Sequence, residues 1–385
     1  MTALAGLSGA MAAVLQGSGA LKTMGPALPL DLTALALLLV LAPLPLLVQA
    51  PWRVSRGIAV PLAAAALLPL WMAIAGGWSA SRTVSAQRLA DLVLLGPAML
   101  AAGLVLGAHP VARRWLAGAT LGVGGLLLLG LAWPPAFPPP GRETLNYQVA
   151  GLALAMAATL AALRAVEAAG PARMAAWLGA ACLLTLGAML PGGRMGLLTL
   201  VLCVLVLPAL RLAADGRRGA ALLWAGAVLG AAALPLLAGD ALGHRALRTV
   251  QRLTELGSGL QVRGQLWREA LLLGGASMPW GLGTGGFSIA AGFGENRGLY
   301  PHNHALEALA EGGLPGLLLW LLAFGGGIAV LLGRARAVEP GRAARIAAMV
   351  LPIALSCMVS SDLGNRMAWF ALGLCLSLDV ELRDA

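Results

Sequence analysis

An all-α, polytopic membrane protein is the fold class this sequence predicts, and three observations predict it. Hydrophobic residues make up 59% of the chain and charged residues only 11%, an apolar share that no water-facing fold can hide. The apolar residues come in successive runs, each long enough to cross about 30 Å of hydrocarbon at about 1.5 Å per residue. The arginines fall between those runs.

Taken in order, the runs predict spans near residues 28–49, 58–77, 89–108, 115–134, 146–166, 174–190, 195–210, 219–238, 314–333, 343–360 and 366–381. Residues 2–20 are apolar but rich in Ala, Gly and Ser, and make a marginal twelfth span; the start lacks the basic region of a cleaved signal peptide. Orientation follows from the arginines of the short loops. Arg53, Arg56, Arg113, Arg114, Arg164, Arg173, Arg211, Arg217, Arg218, Arg334, Arg336, Arg342, Arg345 and Arg383 form one set of fourteen, against six in the opposite set: Lys22, Arg82, Arg88, Arg142, Arg194 and Arg366. The larger set is expected in the cytoplasm. With the C-terminus inside, eleven spans leave the N-terminus outside and twelve bring it in; twelve is the expected count.

The charge of the chain does not point to nucleic acid. Its net charge is +10, yet only Lys22 among 26 basic residues is a lysine, and no Lys/Arg cluster is interleaved with aromatics. Cys182, Cys203, Cys357 and Cys375 all lie inside apolar runs and read as small buried hydrophobes.

This topology leaves residues 239–313 as one large loop on the outer, periplasmic face, inserted between spans of a single membrane domain. Loops of that size are functional or disordered, and the pattern here favours helices. Residues 241–256 place Arg245, Arg248 and Arg252 on one helical face, and 262–273 form a second helix with Leu266, Trp267, Ala270, Leu271 and Leu273 as its apolar surface. Both are expected along the membrane surface, where arginines meet the phosphates of membrane lipids, either as simple anchors or as ligand contacts. Pro279 to Phe287 is glycine-dense and reads as a tight turn, since no G-x-x-x-x-G-K-[ST] pattern accompanies it.

The chemistry is expected in the stretch from Leu299 to Gly316, which holds His302, Asn303, His304, Glu307 and Glu311 in a chain poor in polar side chains. Pro301 and Asn303 start a helix and Gly312-Gly313 with Pro315 stop one, so residues 304–311 are expected to form a short helix with His302 at its mouth, outside the membrane. His302, with an ordinary pKa near 6.5, suits a general base. His304, Glu307 and Glu311 share a helical face that fits either a metal site or a solvated one; no further outer His or Cys completes a shell, and no metal is expected. Arg194, flanked by Gly192, Gly193 and Gly196 at the outer end of a span, fits either headgroup snorkelling or bidentate binding of a diphosphate. Arg263 in the long loop offers the same chemistry, with Arg268 and Tyr300 as further candidates near it.

On these residues the sequence resembles a family. His302-Asn303, nine residues, Gly313, two residues and Gly316 match the H-[NSQ]-x9-G-x-x-G signature of the bacterial O-antigen ligases. Arg194, Arg263 and the Pro279–Phe287 turn also resemble the wider group of O-antigen ligases and polymerases, over roughly residues 190–320. The resemblance implies a GT-C-like inverting glycosyltransferase of the inner membrane, without metal or other cofactor, acting at the periplasmic face in lipopolysaccharide biosynthesis. It implies an undecaprenyl pyrophosphate-linked glycan as donor and a lipid A-core sugar as acceptor. His302 is then the base, and Arg194 and Arg263 hold the pyrophosphate. Other readings stay open: a polymerase of the same superfamily, a protein O-oligosaccharyltransferase, or a transporter of lipid-linked glycans. A transporter places ionisable groups at mid-membrane, where these runs carry almost none.

Overall fold

The computed structural model describes residues 1–24, 30–132, 147–190, 194–237, 256–335 and 338–382. It is helical almost throughout, as the composition requires. In hydrocarbon every backbone N–H and C=O must be satisfied within its own segment, which a helix does. Among the described residues seven helices are long and apolar enough to cross a membrane: Thr2–Leu21, Arg56–Trp78, Arg82–Ala108, Pro110–Ala132, Gln148–Glu167, Pro171–Met189 and His304–Arg334. Leu32–Leu47, Leu198–Ala214 and Arg218–Ala231 are apolar but shorter. The marginal N-terminal run is therefore a full helix.

The chain divides into two units. The first comprises Met1–Gln49, His109–Glu255 and Ala335–Pro352. Its helices Thr2–Leu21 and Pro110–Ala132 lie side by side, and Tyr147–Glu167 packs between Pro171–Met189 and Arg194–Ala214. The shared core is mostly alanine, including Ala153, Ala157, Ala158 and Ala161, because small side chains let helix backbones approach closely where apolar burial against lipid supplies no drive. Glu167 ties the helix ends together by ion pairs to Arg211 and Arg345. Leu222 and Leu223 are left about three-quarters exposed, as side chains facing lipid are.

The second unit comprises Ala50–Ala108, Leu256–Arg334 and Ile353–Ala385. Arg82–Ala108 packs against Arg366–Leu376, and Ala59–Ala75 against the helix that begins at His304. A two-stranded antiparallel sheet closes one end, with Trp52 opposite Leu382 and Val54 opposite Val380.

Several expectations change here. The run at 366–381 is an 11-residue helix, Arg366–Leu376, followed by a 3-10 turn and the strand Val380–Leu382. At about 1.5 Å per residue that helix does not reach across the bilayer core; the strand pairing and the ion pair between Asp379 and Arg334 claim its end. The run at 28–49 is broken into Leu32–Leu41 and Leu44–Leu47, because Pro43 cannot donate the next helical hydrogen bond. The run placed at 89–108 starts seven residues earlier, where the Ser81 hydroxyl accepts from the Val84 N–H at 3.1 Å and caps the helix. Arg82 and Arg88 are thus helical residues and not loop residues. Of the long loop, the helix expected at 262–273 spans Leu256–Ala276; the one expected at 241–256, with Arg245, Arg248 and Arg252, lies outside the described residues apart from its last position.

Candidate functional site

The site is built at the helix that begins at His304, and the sequence sets its first turn. Asn303 is the cap: its Oδ1 accepts from the Leu306 N–H at 3.1 Å, and its Nδ2 donates to the Met358 carbonyl at 3.0 Å. His302, immediately before the cap, has φ +54° and stands alone among described non-glycine residues in the left-handed region. A side chain there is uncommon and is held by its surroundings. The Tyr300 ring lies 4.0 Å from the His302 ring, centroid to centroid, and the Tyr300 hydroxyl donates to the Ser360 carbonyl at 3.2 Å.

His302 is half-buried, and its pKa does not stay at the ordinary 6.5 expected of it. Burial lowers it first, and the Arg263 guanidinium lowers it further, against a smaller upward pull from Asp362. The imidazole is therefore neutral at neutral pH, as a proton acceptor must be. Burial, Asp362 and Glu307 push the Tyr300 phenol upward. The Nδ1 of His302 is buried without a hydrogen-bond partner among the described residues.

At the other end of the short helix the chain leaves helical geometry at Gly313, with φ +64° and ψ −158°. The expected helix stop is thus where the glycines put it, although a second helical segment continues directly towards Trp320. The Pro279–Phe287 turn wraps this break. Leu282 N–H donates to the Ala310 carbonyl at 2.8 Å, Gly283 N–H to the Glu311 carbonyl at 2.9 Å, and Leu314 N–H to the Pro279 carbonyl at 2.9 Å. A Cβ on Gly313 would collide with the Pro279 carbonyl oxygen and stand 2.7 Å from the Gly281 nitrogen; one on Gly316 would stand 2.6 Å from the Ala308 oxygen. Gly313 of the signature and the glycine turn are therefore two halves of one backbone contact, whereas Gly316 makes room for the Ala308 carbonyl, and the turn is fixed to this helix break.

Glu307 and Glu311 correct the solvated reading made of them: each is 1% exposed, and both are paired with the 2%-exposed Arg88. Arg88 Nη1 donates to Glu307 Oε1 and, at 3.3 Å, to both oxygens of Glu311. The remaining lone pairs take backbone donors, Leu363 N–H to Glu307 Oε2 at 3.2 Å and Gly285 N–H to Glu311 Oε2 at 2.8 Å. The Arg88 guanidinium carbon sits 5.4 Å from the centre of the Tyr300 ring. His304 is fully buried, not set along an open helix face, with Nε2 3.1 Å from Ser361 Oγ. No group of three His, Cys, Asp or Glu residues among those described is arranged to hold a metal ion.

Arg263 lies on Leu256–Ala276, partly exposed, and its charge is felt by both His302 and Tyr300. Arg268 is exposed on the same helix. Arg194 opens the helix Arg194–Ala214 of the first unit; its side chain lies outside what is described. Sequence reasoning missed Arg88 and the segment Met358–Leu363, which cradles Tyr300, Asn303, His304 and Glu307.

These features define a class: a multi-pass, all-helical membrane protein with a half-buried histidine beside an arginine-bearing helix and a glycine turn locked to a helix break. Residues 178–321 match the model of the family described as O-antigen ligase, and over that region the chain is similar to the O-antigen ligase superfamily. No curated protein and no solved structure matches the chain. The match takes in Arg194, Arg263, His302 and Gly313, and leaves out Arg88 and the 358–363 segment.

Proposed function

We propose that this protein is an inverting glycosyltransferase of the bacterial inner membrane that ligates a polysaccharide from undecaprenyl pyrophosphate to a lipid A-core sugar at the periplasmic face. The family match supports the reaction class. The observation that carries the site is His302: neutral, half-buried, held in a left-handed backbone conformation and flanked by the positive charge of Arg263.

The chemistry follows from those groups. The acceptor hydroxyl gives its proton to His302 as its oxygen attacks the anomeric carbon from the face opposite the leaving group. The bond from that carbon to the pyrophosphate oxygen breaks, and the centre inverts. Charge then collects on undecaprenyl pyrophosphate, where Arg263, with Arg194 as its proposed partner, offers planar donors suited to bidentate phosphate contacts. Positive groups aimed at charge that develops in the transition state give the largest catalytic effect available to such a site. Tyr300 and Asn303 orient His302; His304 and Glu307, being buried, serve the scaffold. The open helix side of Arg268 suits phosphates of lipid or donor.

A polymerase of the same superfamily uses the same groups and differs only in acceptor. The deciding experiment incubates the purified protein with lipid-linked glycan, with and without lipid A-core. Glycan appearing on lipid A-core supports the ligase. Lengthening of the lipid-linked glycan without added acceptor means polymerase, and movement of donor across vesicles without any new glycosidic bond means transporter.

A further inference from the structure

The transfer chemistry makes no use of Arg88, Glu307 and Glu311, yet three ionisable side chains are shut away together, each at most 2% exposed. A buried ion cluster of this kind adds no more stability than well-packed apolar side chains of the same volume, so its presence calls for another reason. His302 supplies one. A non-glycine residue at φ +54° persists only where its neighbours over-determine it, and the neighbour in contact with its ring is Tyr300, at 4.0 Å.

Tyr300 is itself fixed at two points. Its hydroxyl donates to the Ser360 carbonyl at 3.2 Å, and its ring meets the Arg88 guanidinium at 5.4 Å, a distance at which a ring quadrupole attracts a cation. Arg88 in turn cannot swing, because one of its nitrogens donates to both carboxylates, and these are held by the Leu363 and Gly285 N–H groups. One connected frame thus runs from the glycine turn and the 358–363 segment to the imidazole. We propose that Arg88 is a positioning residue: locked by Glu307 and Glu311, its guanidinium seats the Tyr300 ring, and that ring holds His302 in its left-handed pose. Its catalytic consequence rests on the reading of His302 as the base of glycosyl transfer.

The test needs a readout of ring placement that is independent of turnover. The purified full chain labelled at histidine has four imidazoles, and His302→Ala assigns the His302 resonance. The Tyr300 ring, tilted 44° to the imidazole at 4.0 Å, gives that resonance a ring-current shift, whose loss is calibrated by Tyr300→Leu; Tyr300→Phe, which keeps the ring, should retain it. The variant Arg88→Met/Glu307→Gln/Glu311→Gln leaves no unpaired buried charge, and Arg88→Lys keeps the ion pairs but lacks the flat guanidinium. Both should move the resonance towards the Tyr300→Leu position while melting close to the wild type. In the transfer assay kcat should fall about 10²-fold, the cost of a misplaced reacting group, with KM for the donor unchanged. A His302 resonance that keeps its wild-type position in both variants overturns the proposal. Absence of transfer by the wild-type protein overturns the functional reading alone, since the resonance still reports whether Arg88 seats the ring.

Discussion

Replacing Gly313 with alanine tests the contact between glycine turn and helix break. The backbone at φ +64° and ψ −158° belongs to a region essentially confined to glycine, so a side chain there costs about 1–3 kcal/mol. The added Cβ also meets the Pro279 carbonyl oxygen, with the Trp280 carbonyl carbon at 2.5 Å and the Gly281 nitrogen at 2.7 Å. All three are backbone atoms, which cannot rotate away. The turn must lift, and with it go the hydrogen bonds from Leu282, Gly283 and Leu314, each worth about 0.5–1.5 kcal/mol. The total is a loss of about 2.5–7.5 kcal/mol, concentrated beside Trp71, whose indole donates to the Gly312 carbonyl at 2.7 Å, and Trp78, whose indole donates to the Gly281 carbonyl at 3.2 Å. Thermal unfolding followed by tryptophan fluorescence in detergent should show Gly313→Ala melting well below wild type. Gly275→Ala, whose Cβ would meet nothing within 4 Å, should melt at or slightly above it. Equal melting of Gly313→Ala and wild type refutes the argument.

Three further outcomes follow from the same geometry. Arg88→Met leaves two buried carboxylates unpaired and should destabilise by about 3–5 kcal/mol, whereas adding Glu307→Gln and Glu311→Gln should restore most of the loss; chemical denaturation of the two variants decides. Since burial and Arg263 lower the His302 pKa, the acid limb of kcat should lie below pH 6.5, and Arg263→Met, by removing a cation that disfavours the imidazolium, should move that limb to higher pH. The same depression means the unfolded chain takes up this proton first as pH falls, so the contribution of His302 to stability is present above pH 6.5 and lost below it. For topology, cysteines introduced as Ser258→Cys and Ala290→Cys in a background free of Cys182, Cys203, Cys357 and Cys375 should react with a membrane-impermeant thiol reagent in intact spheroplasts; labelling only after lysis inverts the arrangement.

The parts of the site legible in the sequence are those whose signal is local. His302, Asn303, Gly313 and Gly316 lie within one short stretch, and each answers to a nearby backbone demand: a cap, a helix break, a close approach. Arg88 was not legible, because its partner Glu307 is 219 residues away and a single arginine at the edge of an apolar run looks like any loop charge. For the same reason Glu307 and Glu311, at helical spacing and apparently unpartnered, read as solvated or metal-binding. The 358–363 segment was hidden differently: it offers Tyr300 and Asn303 backbone carbonyls, which every sequence has. Among the elements, Val380 and Glu381 passed for the end of an apolar span, since the valine that opens the strand extends the apolar run of the helix before it.

The most direct test of the account is His302→Ala in the reconstituted transfer assay, with lipid-linked glycan as donor and lipid A-core as acceptor. Loss of the proton acceptor should slow transfer about 10²–10⁴-fold, while the variant stays monodisperse, melts as wild type does and binds donor with wild-type affinity. Transfer by His302→Ala at the wild-type rate contradicts the account.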